Sequence, residues 1–487
     1  MDYPTLPLFP MDAEAWYQRG QEQAAAGNYP QAIAAYGEAL RLEPDNPDIY
    51  YQRGNLQRRM GEFEAALADY DAALRWQPEH PAALVGRGNT FFEQQDYAPA
   101  IEAYSRALAL EPDYTNARYN RAKSYAELGE DTAALADFEA VLRREPGDVA
   151  ARVGRGNLYF QSGDPARAIA DYDEAIRLDP DDAVVYLNRA ACLAGLGRLA
   201  PAMTDYTTAI DLRPREVRAF MGRGLAHYQL GDYASALADF SRAIELKPDD
   251  HHAFISRAMT CFELGDFDAA MQDYAEAIRR DPADARAALG RGLVFLAQQD
   301  YRRAWANFDQ AVRLQPDFAA AIAKRGEAIA ALGDGPQAIV DFSEALRLAP
   351  DDPAPLWQRG NAHLRLGHYP AAIADYSTLI ERIESAAAYY NRGAAQHQNG
   401  NLAAAEADYR TALRLDATAV EASYNLACLL AHQNKTQAAI ANLRHALRIN
   451  PGVVTIAAIQ ADPDFASLRR TAEFSALLAE FTSGSRK

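Results

Sequence analysis

Residues 13–46 read AEAWYQRGQEQAAAGNYPQAIAAYGEALRLEPDN, and this stretch decides the fold because it comes back. Residues 47–80, PDIYYQRGNLQRRMGEFEAALADYDAALRWQPEH, repeat its Arg-Gly pair, its alanine, its tyrosine and its late proline in the same register. The Arg-Gly or Arg-Ala pair then steps along the chain in intervals of 34 residues, from Arg19-Gly20 through Arg53-Gly54, Arg87-Gly88 and onward to Arg359-Gly360. Arg392-Gly393 arrives one residue early, and a thirteenth, diverged copy carries Leu426-Ala427. A period of this length marks an array of small supersecondary units rather than a set of globular domains.

Numbering each copy from Ala13 as position 1 aligns the rest. Position 20 is alanine in all thirteen copies, from Ala32 to Ala439, and position 24 is aromatic in twelve, from Tyr36 to Tyr409, before becoming Leu443. Position 27 is alanine except at Val141 and Leu379. Small residues at positions 8, 20 and 27 let two helices approach closely, and the aromatic fills what is left between them. Glycine at position 15, as at Gly27, Gly61, Gly129 and Gly163, supplies the left-handed backbone that ends a first helix. Asn28, Asp96, Asp164, Asp232 and Asp266 then suit the start of a second. Proline at position 32, in eleven copies from Pro44 to Pro451, stops it; Glu384 and Ala417 replace that proline in the other two. The pattern predicts two helices per copy, each of about 14 residues.

These residues resemble the tetratricopeptide repeat (TPR), with the copy at 13–46 close to the family's consensus and the match running over residues 13–453. The resemblance implies an all-α fold, a right-handed superhelical solenoid of antiparallel helix pairs in which neighbours stack because one hairpin cannot bury its own apolar face. The chain divides accordingly into an N-terminal tail at 1–12, repeats 1 to 11 at 13–385 with the eleventh one residue short, repeats 12 and 13 at 386–453, and a C-terminal cap with a frayed tail at 454–487. In the cap, Ile459, Phe465, Leu468, Phe474, Leu477 and Leu478 keep helical spacing, Asp462-Pro463 starts a short helix, and fraying is expected from Thr482. The shortened junction near 379–386 is expected to be a local bend or hinge.

Bulk chemistry narrows the function. A formal charge of −18 argues against nucleic acid as a partner, because phosphate binding needs clustered Lys and Arg. Cys192, Cys261 and Cys428 follow no disulfide or metal spacing, which points to a reducing compartment and no structural metal. No apolar run reaches the length of a membrane span, and Met1 to Met11 lacks the features of a secretory signal, so the expected location is cytoplasmic. No phosphate loop, His-Glu-x-x-His or nucleophile elbow occurs, and the pairs His251-His252 and Cys428 with His432 read as surface or groove residues. No catalysis and no cofactor are expected.

Arginine stands at position 7 in twelve copies, where the family usually has leucine, and aspartate at position 23 in nine. A ladder of Arg–Asp pairs within repeats explains both better than a basic stripe for an acidic ligand, since guanidinium can bridge a carboxylate bidentately. Arg19, Arg87 and Arg291 would face Ala35, Ala103 and Asn307 and so lack that partner.

The resemblance also places ligands on the concave surface formed by positions 2, 5, 6, 9, 12 and 13 of the first helices. In repeats 7 to 9 those positions carry Met221, Leu225 and Tyr228, then Ile255, Met259 and Phe262, then Leu289, Leu293 and Leu296, rimmed by Arg218, His252 and Arg286. This reads as an apolar trough for an extended or helical partner segment, unless the same side chains pack against adjacent helices. Asn120, Asn188, Asn391 and Asn425 at position 6 are candidate backbone clamps, by similarity to the asparagine row in the superhelical arm of O-linked GlcNAc transferase. No position 5 is lysine, so the carboxylate clamp of the family's chaperone-binding members is not expected. The function these readings support is a scaffold or adaptor for proteins or peptides. The alternative is a structural or regulatory subunit of one stable assembly, self-association included, and oligomeric state is left open.

Overall fold

The structure, a computed structural model, describes residues 11–450 and 454–483. Pro451, most of the N-terminal tail and the last four residues of the C-terminal tail lie outside the described residues. All regular structure among the described residues is helical. Thirteen hairpins follow one another, from Ala13–Ala25 with Tyr29–Leu42 to Val420–His432 with Thr436–Ile449. First helices have 13 residues and second helices 14, which agrees with the expected length. The chain falls into two compact units, residues 1–246 with the helices of repeats 1 to 7 and residues 247–487 with repeats 8 to 13 and the cap.

Each hairpin is closed by one residue in the left-handed region. Glycine takes that place in ten repeats, with φ from 72° to 95°. Gln95, Gln299 and Asn434 take it in the other three, at φ 63°, 60° and 58°; asparagine tolerates that backbone, whereas at the two glutamines the fold imposes the turn against the side chain's preference. At the next residue, Asp164, Asp232 and Asp266 accept a backbone N–H of the second helix, whereas Asn28 and Asp96 make no such bond. The second helices end at the same position whether or not proline follows: Arg382 and Leu415 close theirs ahead of Glu384 and Ala417.

The thirteen position-20 alanines are all fully buried, and the aromatic at position 24 is buried in every repeat that has one. Close approach explains why position 8 is small. A Cβ added to Gly88 would lie 2.6 Å from a ring carbon of Tyr104, and one added to Gly224 would lie 2.7 Å from Phe240. The same rings press on the following repeat, where a Cβ on Gly86 would meet Tyr70 at 2.6 Å and one on Gly154 would meet Phe138 at 2.6 Å. Where the following repeat carries glycine at position 6, the ring is therefore gripped from both sides, by its own hairpin and by the next.

The Arg–Asp ladder forms within repeats. Nine guanidinium groups, from Arg53 with Asp69 to Arg392 with Asp408, donate bidentately to the position-23 carboxylate at 2.6–2.9 Å. Those carboxylates are only 2–6% exposed. Many of the same arginines also reach position 25 of the preceding repeat: Arg121 donates to Ser105, Arg189 to Asp173, Arg325 to Asp309 and Arg359 to Ser343. The ladder thus ties repeat to repeat as well as helix to helix. Of the three exceptions, Arg87 turns to Asp71 and Arg291 donates to Asn307 and Gln310, where burial without a carboxylate lowers its pKa. The guanidinium of Arg19 rests over the Trp16 ring.

At the short eleventh repeat the missing residue comes out of the loop. Three residues, 383–385, link Tyr369–Arg382 to Ala386–Gln398, where four link the other repeats, and Ser385 makes no side-chain cap. After repeat 13, Ile456–Ala461 and Ala472–Ser483 form the cap, with short 3-10 turns at Pro463–Phe465 and Leu468–Arg470 between them. Asp462-Pro463 opens the first of these turns, and the last helix runs two residues past Phe481. Ile459, Phe465, Leu468, Phe474 and Leu477 are buried against Leu426, Leu430 and Leu443, with Leu478 packed beside them.

Removing one rung, as in Asp341→Ala, leaves the Arg325 guanidinium without its buried partner and should cost about 3 kcal/mol in denaturant unfolding of residues near it. Asn307→Asp should instead complete a tenth rung and raise stability by about 1 kcal/mol. Amide hydrogen exchange at residues 383–387 should be faster than at the four-residue junctions, with equal protection refuting a local hinge.

Candidate partner-binding surface

The concavities of the first unit follow from residue size. In repeats 3 to 5 the first helices are Pro81–Glu93, Thr115–Glu127 and Val149–Gln161. Ala150 and Gly154 open space on the last of these, and the Phe138 ring lies beneath Gly154. The resulting cavity, of about 460 Å³, has an apolar floor of Phe138, Val149, Val153 and Leu158 and a polar rim of Lys123, Glu127, Gln161 and Asp182. A neighbouring cavity of about 740 Å³ shares Tyr119, Lys123 and Ala150 with it and continues past Asn116, Asn120, Glu145 and Asp148 to Asn89, Phe92, Glu93 and Arg58.

Charge on this surface is mixed but mostly negative. Arg58 is ion-paired with Glu93, and the Lys123 ammonium sits 4.8 Å from the centre of the Phe92 ring and 5.8 Å from that of Tyr119. Glu127, Glu145, Asp148 and Asp182 complete the lining without a matching set of cations there. Burial raises the Tyr119 hydroxyl pKa, and the Asp148 charge adds to the rise, so that group stays a neutral donor. Such a surface can hold apolar side chains on its floor and basic ones at its rim.

The asparagines of position 6 are part of a network. Tyr70, Tyr104, Tyr172 and Tyr376 donate their hydroxyls to Asn55, Asn89, Asn157 and Asn361 at position 9 of the same repeat, at 2.7–2.8 Å. From the next repeat, Asn120, Asn188 and Asn391 donate their amide N–H groups to Asn89, Asn157 and Asn361. Asn425 donates to the Tyr390 hydroxyl. These contacts orient the amides and leave the carbonyl oxygens of position 6 as the groups available to a bound chain.

The apolar residues of repeats 7 to 9 fall in both units. In the first, Leu225 is 45% exposed, Met221 and Tyr228 are half-buried, Tyr228 lies against Tyr233, and Arg218 is exposed. In the second, Ile255 is buried, Met259 is 41% exposed, and Phe262 packs on Phe267. Leu289, Leu293 and Leu296 are half-buried against a cluster around Ala304 and Phe308 or, for Leu289, also around Ala288. His252 and Arg286 touch each other, with Arg286 Nη2 2.7 Å from His252 Nδ1.

Sequence reasoning passed over the cavities of repeats 3 to 5 because it looked for a run of large apolar residues. The usable signal was an absence of bulk, Ala150 and Gly154 at positions 2 and 6, next to Lys123, the lysine at position 9.

Family comparison gives the same frame to these positions. Models described as tetratricopeptide repeat match residues 119–183, 154–206, 187–251, 292–353, 358–419 and 398–453, with further matches at 20–61, 47–80, 88–129 and 227–293. The chain belongs to the TPR family. Its general role is accordingly that of a protein-interaction scaffold. Among solved structures it is similar to the anaphase-promoting complex hetero-tetramer Cut9–Hcn1, at 14% identity and TM-score 0.44 over 97% of this chain and 96% of that one. It is also similar to yeast Tom70, at 18% identity and TM-score 0.42 over 83% and 97%. A TPR protein from Parabacteroides merdae matches at 21% identity and TM-score 0.42 over 51% of this chain and 98% of that one. No curated sequence matches the chain closely enough to be paired with it. Among the described residues no helix is long and apolar enough to cross a membrane.

Proposed function

We propose that this TPR protein is an adaptor whose first-helix surface in repeats 3 to 5 seats a segment of a partner protein carrying apolar anchors flanked by basic residues. The observation that carries the reading is the pair of adjoining cavities, apolar beneath and predominantly acidic at the rim. Their lining includes residues at positions 2, 5, 6, 9, 12 and 13, the positions family resemblance assigns to ligands, together with Glu145, Asp148 and Asp182 from the loops that precede the first helices. The net charge of −18 adds long-range attraction for a basic segment. The exposed Leu225, in the same unit, offers further apolar contact to a longer partner.

A photo-activatable residue at position 123 should crosslink to the partner segment, and the crosslinked peptide should be basic and hold an apolar anchor. Ala150→Arg, a side chain that Arg218 and Arg286 show to be compatible with position 2, should crowd the mouth shared by the two cavities. It should weaken binding of that peptide tenfold or more, about 1.4 kcal/mol, with no change in helicity. Leu225→Glu and Met259→Glu, made separately, ask the same of the apolar side chains. Unchanged affinity in Ala150→Arg with crosslinking confined to other repeats would remove repeats 3 to 5 as the seat.

A further inference from the structure

Four side chains of the second unit converge where repeat 8 meets repeat 9. His251 and His252 are the first two residues of the helix His251–Glu263, Asp284 caps the helix Ala285–Ala297, and Asp281 lies in the loop between. The Nε2 of His251 is 3.4 Å from Asp281 Oδ2 and 3.3 Å from Asp284 Oδ2, and the Nδ1 of His252 is 3.9 Å from the same Asp284 oxygen. The three donor atoms of His251, His252 and Asp284 all lie within 4.8 Å of one another.

Those spacings are informative. A tetrahedral ion holding N and O ligands at about 2.1 Å separates its donor atoms by about 3.4 Å along each edge. Two of the three measured separations equal that edge within 0.1 Å, and the third exceeds it by about 0.5 Å. Two imidazoles and two carboxylates are also the donor mixture that suits a borderline divalent ion, where hard Mg²⁺ or Ca²⁺ would demand more oxygens.

We propose that His251, His252, Asp281 and Asp284 form a binding site for a divalent transition metal of the zinc class. A cation already marks the position. Arg286 Nη2 lies 2.5 Å from Asp284 Oδ2 and 2.7 Å from His252 Nδ1, which shows that lone pairs of both residues point to a common point. The Arg286 side chain is 54% exposed and its carboxylate bonds are to Asp284 alone, so it can swing outward when an ion takes its place. Other charges around the site are Asp250, which accepts the His252 backbone N–H, and Lys247, 3.6 Å from Asp250. The positive ends of the two helices oppose a cation, and the three carboxylates of Asp250, Asp281 and Asp284 offset them. Asp284 Oδ1 holds the helix cap through the Arg286 N–H at 2.9 Å and Asp281 Oδ1 accepts the Ala283 N–H at 2.9 Å, so each aspartate keeps its second oxygen for the metal. The bound ion would pin the start of one repeat to the start of the next, a role separate from partner binding in repeats 3 to 5.

The test uses the full chain carrying Cys428→Ser, because Cys428, Asp462 and Asp464 make a second group of metal-competent donors at the cap. Zn²⁺ is titrated in competition with a chromophoric chelator, and Co²⁺ is used as the spectroscopic probe. The expected result is one equivalent bound, with the intense visible absorption of four-coordinate Co²⁺ and no competition from Mg²⁺ or Ca²⁺. His252→Ala, at an exposed position, and Asp284→Asn, which can still cap its helix, should each weaken Zn²⁺ at least about tenfold. Arg286→Ala should tighten it, an effect no structural damage would produce. Absence of binding, competition by Mg²⁺, or an affinity unmoved by His251→Ala with His252→Ala would overturn the site.

Discussion

Everything in this molecule depends on a ring held between two helices too close for an ordinary side chain to intervene. The position-24 aromatic presses against position 8 of its own hairpin, as Tyr104 does on Gly88, and, where position 6 of the following one is glycine, against that position too, as Tyr70 does on Gly86. Its burial supplies the apolar area that a 34-residue hairpin cannot collect alone. Where the ring is tyrosine and position 9 is asparagine, the hydroxyl finds a partner at once, and Asn89, Asn157 and Asn361 in turn receive an amide of the next repeat. Packing and hydrogen bonding therefore agree on the same neighbour.

The arginine ladder adds a second, polar connection at the same interface. A charged pair with its carboxylate only 2–6% exposed is a costly thing to bury, and bidentate geometry is what makes it tolerable. The extra bond from many of these guanidiniums to position 25 of the preceding repeat converts a pair within a hairpin into a staple between hairpins. Arg291 shows the cost by contrast: with Asn307 in place of aspartate, burial is left to depress its pKa.

Most of the fold was legible in the residues. The left-handed turn, the alanine at position 20, the ring and the Arg–Asp pairing each follow from local steric or electrostatic need, and thirteen copies average out the noise of any one. The turns at Gln95 and Gln299 could be read only through register, because glutamine does not prefer that backbone. The cap was legible as an apolar pattern, but not its 3-10 turns, which depend on how it meets repeat 13. The candidate surface was legible least. A cavity is made by what is missing, and Ala150 and Gly154 carry no chemistry to announce it. The convergence of His251, His252, Asp281 and Asp284 spans one whole repeat, so no short spacing reveals it.

The double grip on each ring also gives the array a direction. Shortening the chain by whole repeats from its amino end leaves every remaining ring covered on both sides, since each is closed by what comes after it. Shortening from the carboxyl end strands the last ring with one bare side. Repeat 13 meets this by substitution: it carries Leu443 where the others carry a ring, and the cap closes over it. Loss of whole units is thus better tolerated upstream than at the repeat that the cap covers.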